Sequence, residues 1–161
     1  MRTQKAAARP KGYTLAELMI IVFIIGVLAT IAAPFLLRTL RYSALEGAAD
    51  DMISTFALAR SQAISNNTYC QIRFDMDMGI ARVFEYQPET EDWIVTTDPV
   101  VLPETITFQE GGVTFPGGVA TFDPHGSLIE SGSITLLGPM GNTLQLNAIL
   151  ASGRLLRSEE E

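Results

Sequence analysis

A chain of 161 residues suits one ordinary domain, or a smaller domain joined to an extended element. Its 11 basic and 18 acidic side chains give −7 at neutral pH, which argues against nucleic acid as a default partner, because phosphate contacts need clustered Lys and Arg. One cysteine, Cys70, excludes an intramolecular disulfide, and one histidine, His125, excludes a histidine-rich metal site.

Residues 1–12 carry Arg2, Lys5, Arg9 and Lys11 and no acid. Positive charge ahead of a first apolar span holds that end in the cytoplasm and sends the chain beyond the span across the inner membrane. Without this leader, 7 basic side chains would face 18 acidic ones, a net of −11.

The stretch "KGYTLAELMIIVFIIGVLATIAAP", residues 11–34, comes next. Leu18 to Ala33 is sixteen residues without a charge, and the run is twenty-one long from Tyr13 if Glu17 is included. As a helix, twenty-one residues measure roughly 30 Å, the thickness of a bilayer's hydrocarbon core. Glu17 is the anomaly. A charge deep in a span costs about 2.5–3.5 kcal/mol on insertion scales, less near a helix end. A cleavable signal peptide, with Thr30-Ile31-Ala32 as a poor cut site, has no role for it, and neither has a plain anchor. The acid becomes reasonable if the chain is cut between Gly12 and Tyr13. The new amino group then lies four residues before Glu17, the helix dipole favours the carboxylate, and a neighbouring copy's amino terminus can neutralise it.

Tyr13 to about Asn66 reads as one helix of about 54 residues, roughly 80 Å long, with a kink expected at Pro34. Beyond the proline, Tyr42, Leu45, Ala49, Met52, Phe56, Ala59 and Ala63 succeed each other at alternating steps of three and four, a single apolar stripe. Arg38, Arg41, Glu46, Asp50, Asp51 and Arg60 fall mostly off it. "SNN", residues 65–67, suits a helix end, since Asn tolerates the left-handed conformation.

From Thr68 the period changes to two. Cys70, Ile72 and Phe74 share one face of "TYCQIRF", which makes Cys70 a small buried hydrophobe rather than a reactive thiol. "GIARVFEY", "ETITFQ", "VATFD", "SITLLG" and "TLQLNAIL" are further strand candidates. "MDMG", "QEGG", "FPGG", "DPHGS", "ESGS" and "GPMGN" read as the turns between them. The fold class expected is therefore α+β, a long N-terminal helix followed by paired antiparallel sheets. "SEEE" ends the chain as a small solvated tail. The expected divisions are a leader (1–12), a transmembrane half-helix (13–34), an amphipathic half-helix (35–67) and a β-rich head (68–161).

"KG" followed by "YTLAEL", an apolar stretch and a proline resembles the class III prepilin signal of type IV pilins and type II secretion pseudopilins. The match rests on Gly12 before the cut, on Thr14, Leu15, Glu17 and Leu18 after it, and on Pro34, with Tyr13 where that family usually has phenylalanine. The resemblance implies cleavage by a prepilin peptidase, N-methylation of Tyr13 and packing of helices into a filament core. "ALARSQAISNN", "ATFDPHGS" and "ASGRLLR" resemble the GspH/FimT group of minor pilins. That likeness implies a helix packed on two antiparallel sheets, no cofactor and no enzymatic activity. It also implies other pilins as partners, and a role in priming or capping a periplasmic pseudopilus that handles folded exoproteins. The second role open to the group is a type IV minor pilin, some relatives of which bind DNA through a basic C-terminal segment.

The remaining candidates are weak. Asp123, His125 and Ser127 crowd one turn, where Pro124 and Gly126 favour a plain turn over a catalytic triad. Asp75 and Asp77 begin like a calcium loop without its later ligands. Arg154 and Arg157 precede Glu159, Glu160 and Glu161, which favours surface ion pairs with the tail over phosphate binding.

Overall fold

The computed structural model describes residues 13–150 and 152–158, so the leader, Gly12 and the final acids Glu159–Glu161 lie outside it, as do the side chains of Pro34 and of residues 37–41. The chain falls into two compact units, one ending at Thr39 and one beginning at Leu40. Helix α1 (Leu15–Asn66) runs through both. In the first unit every described side chain is exposed.

Among the described residues, the buried ones all lie in the second unit. Here α1 buries Leu45, Ala49, Met52, Phe56, Ala59 and Ala63, the stripe expected from the sequence. Tyr42 departs from it and is 58% exposed, one turn before the core begins. Ala48 and Thr55 widen the buried face, and the Thr55 hydroxyl donates to the Asp51 C=O (2.7 Å), so the hydroxyl is not left unpaired there. The helix ends in a Schellman arrangement. Asn67 takes φ 49°, Thr68 N–H donates to Ala63 C=O (3.1 Å) and Asn67 N–H to Ile64 C=O (3.3 Å).

The chain then alternates into β1 (Cys70–Asp75), β2 (Ile80–Gln87), β3 (Asp92–Val95), β4 (Val100–Val101), β5 (Thr107–Val113), β6 (Val119–Phe122), β7 (Ser133–Leu137), β8 (Thr143–Ile149) and β9 (Arg154–Arg157). One antiparallel sheet has the order β3-β2-β1-β6 with β4 also on β2, and the other has the order β5-β7-β8-β9. Cys70, Ile72 and Phe74 of β1 face the core, as do Ala81 and Val83 of β2. The α+β class and the two antiparallel sheets stand as expected.

Three further details depart from the sequence reading. "QEGG" is not a turn: residues 109–112 lie inside β5, where pairing with β7 slips between Phe108 and Val113. Gly111 at φ 68° and Gly112, where a Cβ would lie 2.9 Å from the Gln109 C=O, let the strand bulge without ending. In addition, β3 and β4 have no counterpart among the expected strands. Both are short pieces on β2, and β3 is held by the cross-strand pair Tyr86–Trp93 at 5.4 Å.

Phe56 joins helix to sheets. Its ring lies 5.8 Å from Phe122, 5.9 Å from Phe115 and 6.3 Å from Phe74, and Phe74 meets Phe108 of the other sheet edge-on at 5.9 Å. Truncating it would leave a cavity between both sheets. Phe56→Ala should lower the unfolding free energy by about 3–5 kcal/mol, whereas Tyr42→Ala should change it by less than about 0.5 kcal/mol. Urea titration of both variants measures the difference.

Candidate functional site

The described N-terminal segment is an apolar, exposed helix. Leu15–Ala33 is long and apolar enough to cross a membrane, and its residues are exposed throughout. Its backbone is satisfied internally, and the one hydroxyl within the run, Thr30, donates to the Val27 C=O at 2.7 Å. Apolar surface of this kind demands lipid or other helices.

Thr14 opens the helix. Its hydroxyl oxygen accepts the Glu17 N–H at 3.2 Å, and its C=O accepts the Leu18 N–H at 3.3 Å. Thr14 is thus the N-cap and Glu17 the third helical residue, the positions of a capping box. Glu17 sits in the first turn, where the backbone's positive end favours its charge. Among the described residues it has no ion-pair partner, so its charge is open to one from outside. The capping role of Thr14 was readable as Thr-x-x-Glu before an apolar run. Tyr13 is exposed at the end of this helix; Gly12, on the other side of the expected cut, is outside the described residues. The helix α1 includes Pro34 within its span.

In the second unit the weaker candidates resolve into structural parts. Asp123 Oδ1 accepts the N–H groups of His125 (2.9 Å) and Ser127 (2.8 Å), so its carboxylate shapes a turn. Among the described residues no hydrogen bond links the His125 ring to Asp123 or Ser127, so these three are not assembled as a triad. Gly126 in that turn has φ 81°, and a Cβ on it would lie 2.6 Å from Ile64 Cδ1 of α1. Asp75 Oδ1 accepts the Met78 N–H at 3.0 Å, another turn contact, and no cluster of three or more metal-ligating side chains occurs among the described residues. Cys70 is fully buried, and burial, helped by the Glu85 charge, pushes its thiol up to about 11.

Arg157 does form surface ion pairs. Among the described residues its partners lie on α1: Asp50 at 2.6 Å and Glu46 at 3.6 Å. These exposed pairs tie β9 to the helix and contribute at most about 1 kcal/mol. Arg60 reaches from α1 to donate its Nε–H to the Gly126 C=O at 3.1 Å. Between these two struts lies an apolar groove of about 580 Å³, walled by Ile53, Ala57 and Ile64 of α1 and by Gly153 to Arg157. The sequence did not disclose it, because its two walls are about 90 to 100 residues apart.

The model of a family described as "Type II transport protein GspH" matches residues 48–154, two thirds of the chain. This chain belongs to the GspH family. The prokaryotic N-terminal methylation motif matches residues 8–33, which include Gly12, Tyr13, Thr14 and Glu17. GspH-family membership together with the methylation motif makes the chain a pilin-like subunit. Solved structures that share its fold include a pseudopilin and a pilin. The minor pseudopilin EpsH from the type II secretion system of Vibrio cholerae superposes with TM-score 0.57 at 13% identity, covering 76% of this chain and 99% of that one. The type IV minor pilin FimU of Pseudomonas aeruginosa superposes with TM-score 0.56 at 16% identity, covering 71% and 88%. No curated protein matches the chain.

The Cys70 environment gives a direct check on this geometry. Native protein at pH 8 should resist iodoacetamide, and urea-unfolded protein should react. The thiol's folded pKa is raised, so its contribution to stability is fully present below about pH 9 and is lost as pH rises from there to about 11, because the unfolded chain loses the thiol proton first. Mass spectrometry after alkylation and urea melts across that range test both statements.

Proposed function

We propose that the chain is a minor pseudopilin of a type II secretion system, stored in the inner membrane and assembled into the periplasmic pseudopilus at its tip or during initiation. The observation that carries this reading is the exposed apolar helix with Glu17 on its first turn, within the methylation-motif match and ahead of a GspH head. The basic leader keeps the N-terminus cytoplasmic and the head periplasmic. Prepilin peptidase cuts between Gly12 and Tyr13, and the freed Tyr13 amine is methylated.

Assembly then withdraws the apolar half-helix from lipid into a core of neighbouring helices. Glu17 meets the amino terminus of an adjacent subunit there, which offsets the cost of keeping a carboxylate in an apolar medium. A bend at Pro34 fits the helix into that core. The division into leader (1–12), membrane half (13–34), periplasmic half-helix (35–67) and head (68–161) belongs to this reading. Filament growth moves folded exoproteins, which are the cargo. None of these steps calls for a cofactor or for catalysis by the chain.

A second reading, a type IV minor pilin that primes pilus assembly, is supported by the near-equal likeness to FimU. Its DNA-binding form is disfavoured by the engagement of Arg157 with Asp50 and Glu46. Deleting the gene separates the two readings: the pseudopilin reading expects exoprotein export to stop with twitching unchanged, and the opposite result favours the pilus.

Mass spectrometry of the mature chain should find methylated Tyr13 as residue one; an N-terminus at Ala33 would make residues 1–32 a signal peptide. Glu17→Ala should leave cleavage intact and prevent co-assembly with the other subunits, scored by recovery in sheared filaments. Normal incorporation would remove the charge-pairing role.

A further inference from the structure

The outer face of the first sheet carries a charge arrangement that the fold does not need. Along β1 and β2 the buried Ile72, Phe74, Ala81 and Val83 alternate with side chains on the opposite face, among them Arg73, Arg82 and Phe84. Arg73 and Arg82 are direct cross-strand partners. Like charges placed opposite each other destabilise a sheet. Among the described residues neither arginine has a carboxylate within ion-pair distance, although the chain carries a net charge of −7. Asp75, at the end of the same row of β1, turns its Oδ1 to the Met78 N–H at 3.0 Å.

Arg73 is held in place. Its guanidinium lies 4.1 Å from the centre of the Phe84 ring and 5.7 Å from that of Trp93. Its Nε and Nη2 donate to Gln71 Oε1 at 3.2 and 3.1 Å. Arg82 is exposed. A cavity of about 180 Å³ lies among Arg73, Asp75, Ile80, Arg82 and Phe84. Beside Arg73, Tyr86 and Trp93 form an aromatic ledge with their rings 5.4 Å apart, and Val95, the next outward residue of β3, is 53% exposed. Acids stand at both ends of β2: Asp77 is exposed in the turn before it, and Glu89 and Glu91 are exposed in the turn after it.

We propose that this face docks an acidic segment of another filament subunit, with one carboxylate entering between Arg73 and Arg82 and an apolar residue two positions away lying on the Trp93 ledge. The proposal rests on the filament reading for the origin of the partner and on this face alone for its chemistry. A carboxylate between the two guanidinium groups turns a like-charge pair into a bridged one. Arg73, already fixed on Phe84, loses little freedom in binding it. Two positions of extended chain cover about 7 Å, comparable with the 5.7 Å from the Arg73 guanidinium to the Trp93 ring. The acids at both ends of β2 repel a polyanion such as nucleic acid, while a segment with a single carboxylate fits between them.

Trp93 is the single tryptophan of the chain, so its fluorescence reports on the ledge. The full chain in detergent micelles is titrated with three end-blocked pentapeptides, Ser-Glu-Ser-Phe-Ser, Ser-Lys-Ser-Phe-Ser and Ser-Glu-Ser-Ser-Ser, and with a thymidine hexanucleotide. The first peptide should change the Trp93 emission saturably at millimolar concentration. The other three probes should bind at least about tenfold more weakly. Arg82→Glu should weaken binding of the first peptide by about tenfold or more without lowering the urea midpoint, since it also removes the like-charge pair. Absence of an emission change with millimolar Ser-Glu-Ser-Phe-Ser overturns the proposal, as does equal binding of either control peptide or tighter binding of the hexanucleotide. A lower urea midpoint for Arg82→Glu overturns it too, by making the arginine pair a structural element. Self-association that Arg82→Glu abolishes would replace the proposed partner with a second copy. Any of these failures leaves the processing of Tyr13 and the role of Glu17 untouched, and those are read separately from mature mass and filament recovery.

Discussion

A carboxylate on the first turn of an otherwise apolar helix is the constraint on which the account depends. Leu15–Ala33 exposes apolar side chains along its whole length, so this part of the chain is incomplete without lipid or neighbouring helices. A helix that only crossed a membrane would be better served by a neutral residue at position 17. Thr14 and the helix N-terminus supply part of what a carboxylate needs, namely a capped turn and a favourable dipole. They supply no counter-charge. On the proposed reading, the amine created by cleavage at Tyr13 in an adjacent subunit supplies it, and one chemical event prepares both the terminus and its partner.

The head is built on the opposite principle, with its apolar face already buried. The second half of α1 gives one stripe to the two sheets, and Phe56 bridges them through Phe74, Phe115 and Phe122. Its C-terminal end is closed by Asn67 in the left-handed conformation and pinned by Asn66, whose Nδ2 donates to the Glu85 carboxylate at 2.9 Å. The helix is therefore a shared element. Its first part is apolar and exposed, while its last part is committed to the head. This chain carries both parts, with the methylation-motif match over residues 8–33 and the GspH match over residues 48–154.

Much of this was legible in the sequence because the signals were local and periodic. The stripe from Leu45 to Ala63 and the alternation of Cys70, Ile72 and Phe74 each repeat the geometry of their own element, and the buried faces match them. What escaped was set by tertiary pairing. β3 and β4 are short edge pieces that exist because β2 offers them a ladder. The glycines of "QEGG" signalled a turn, but β7 holds them in a strand with a bulge. Tyr42 kept the helical spacing and still fell short of the core, whose buried stripe begins one turn later at Leu45. The groove beside β9 joins residues from both ends of the head, and no window of sequence contains both its walls.

The central claim concerns which charge faces Glu17 in the assembled state. Solid-state NMR of filaments reconstituted from ¹³C-Glu-labelled chain and ¹⁵N-labelled neighbours measures it directly. The account predicts an intersubunit contact of about 4 Å or less between the Glu17 carboxylate carbon and a terminal amine nitrogen. A Glu17 carboxyl that is protonated in the filament, with no amine nitrogen nearby, would contradict it.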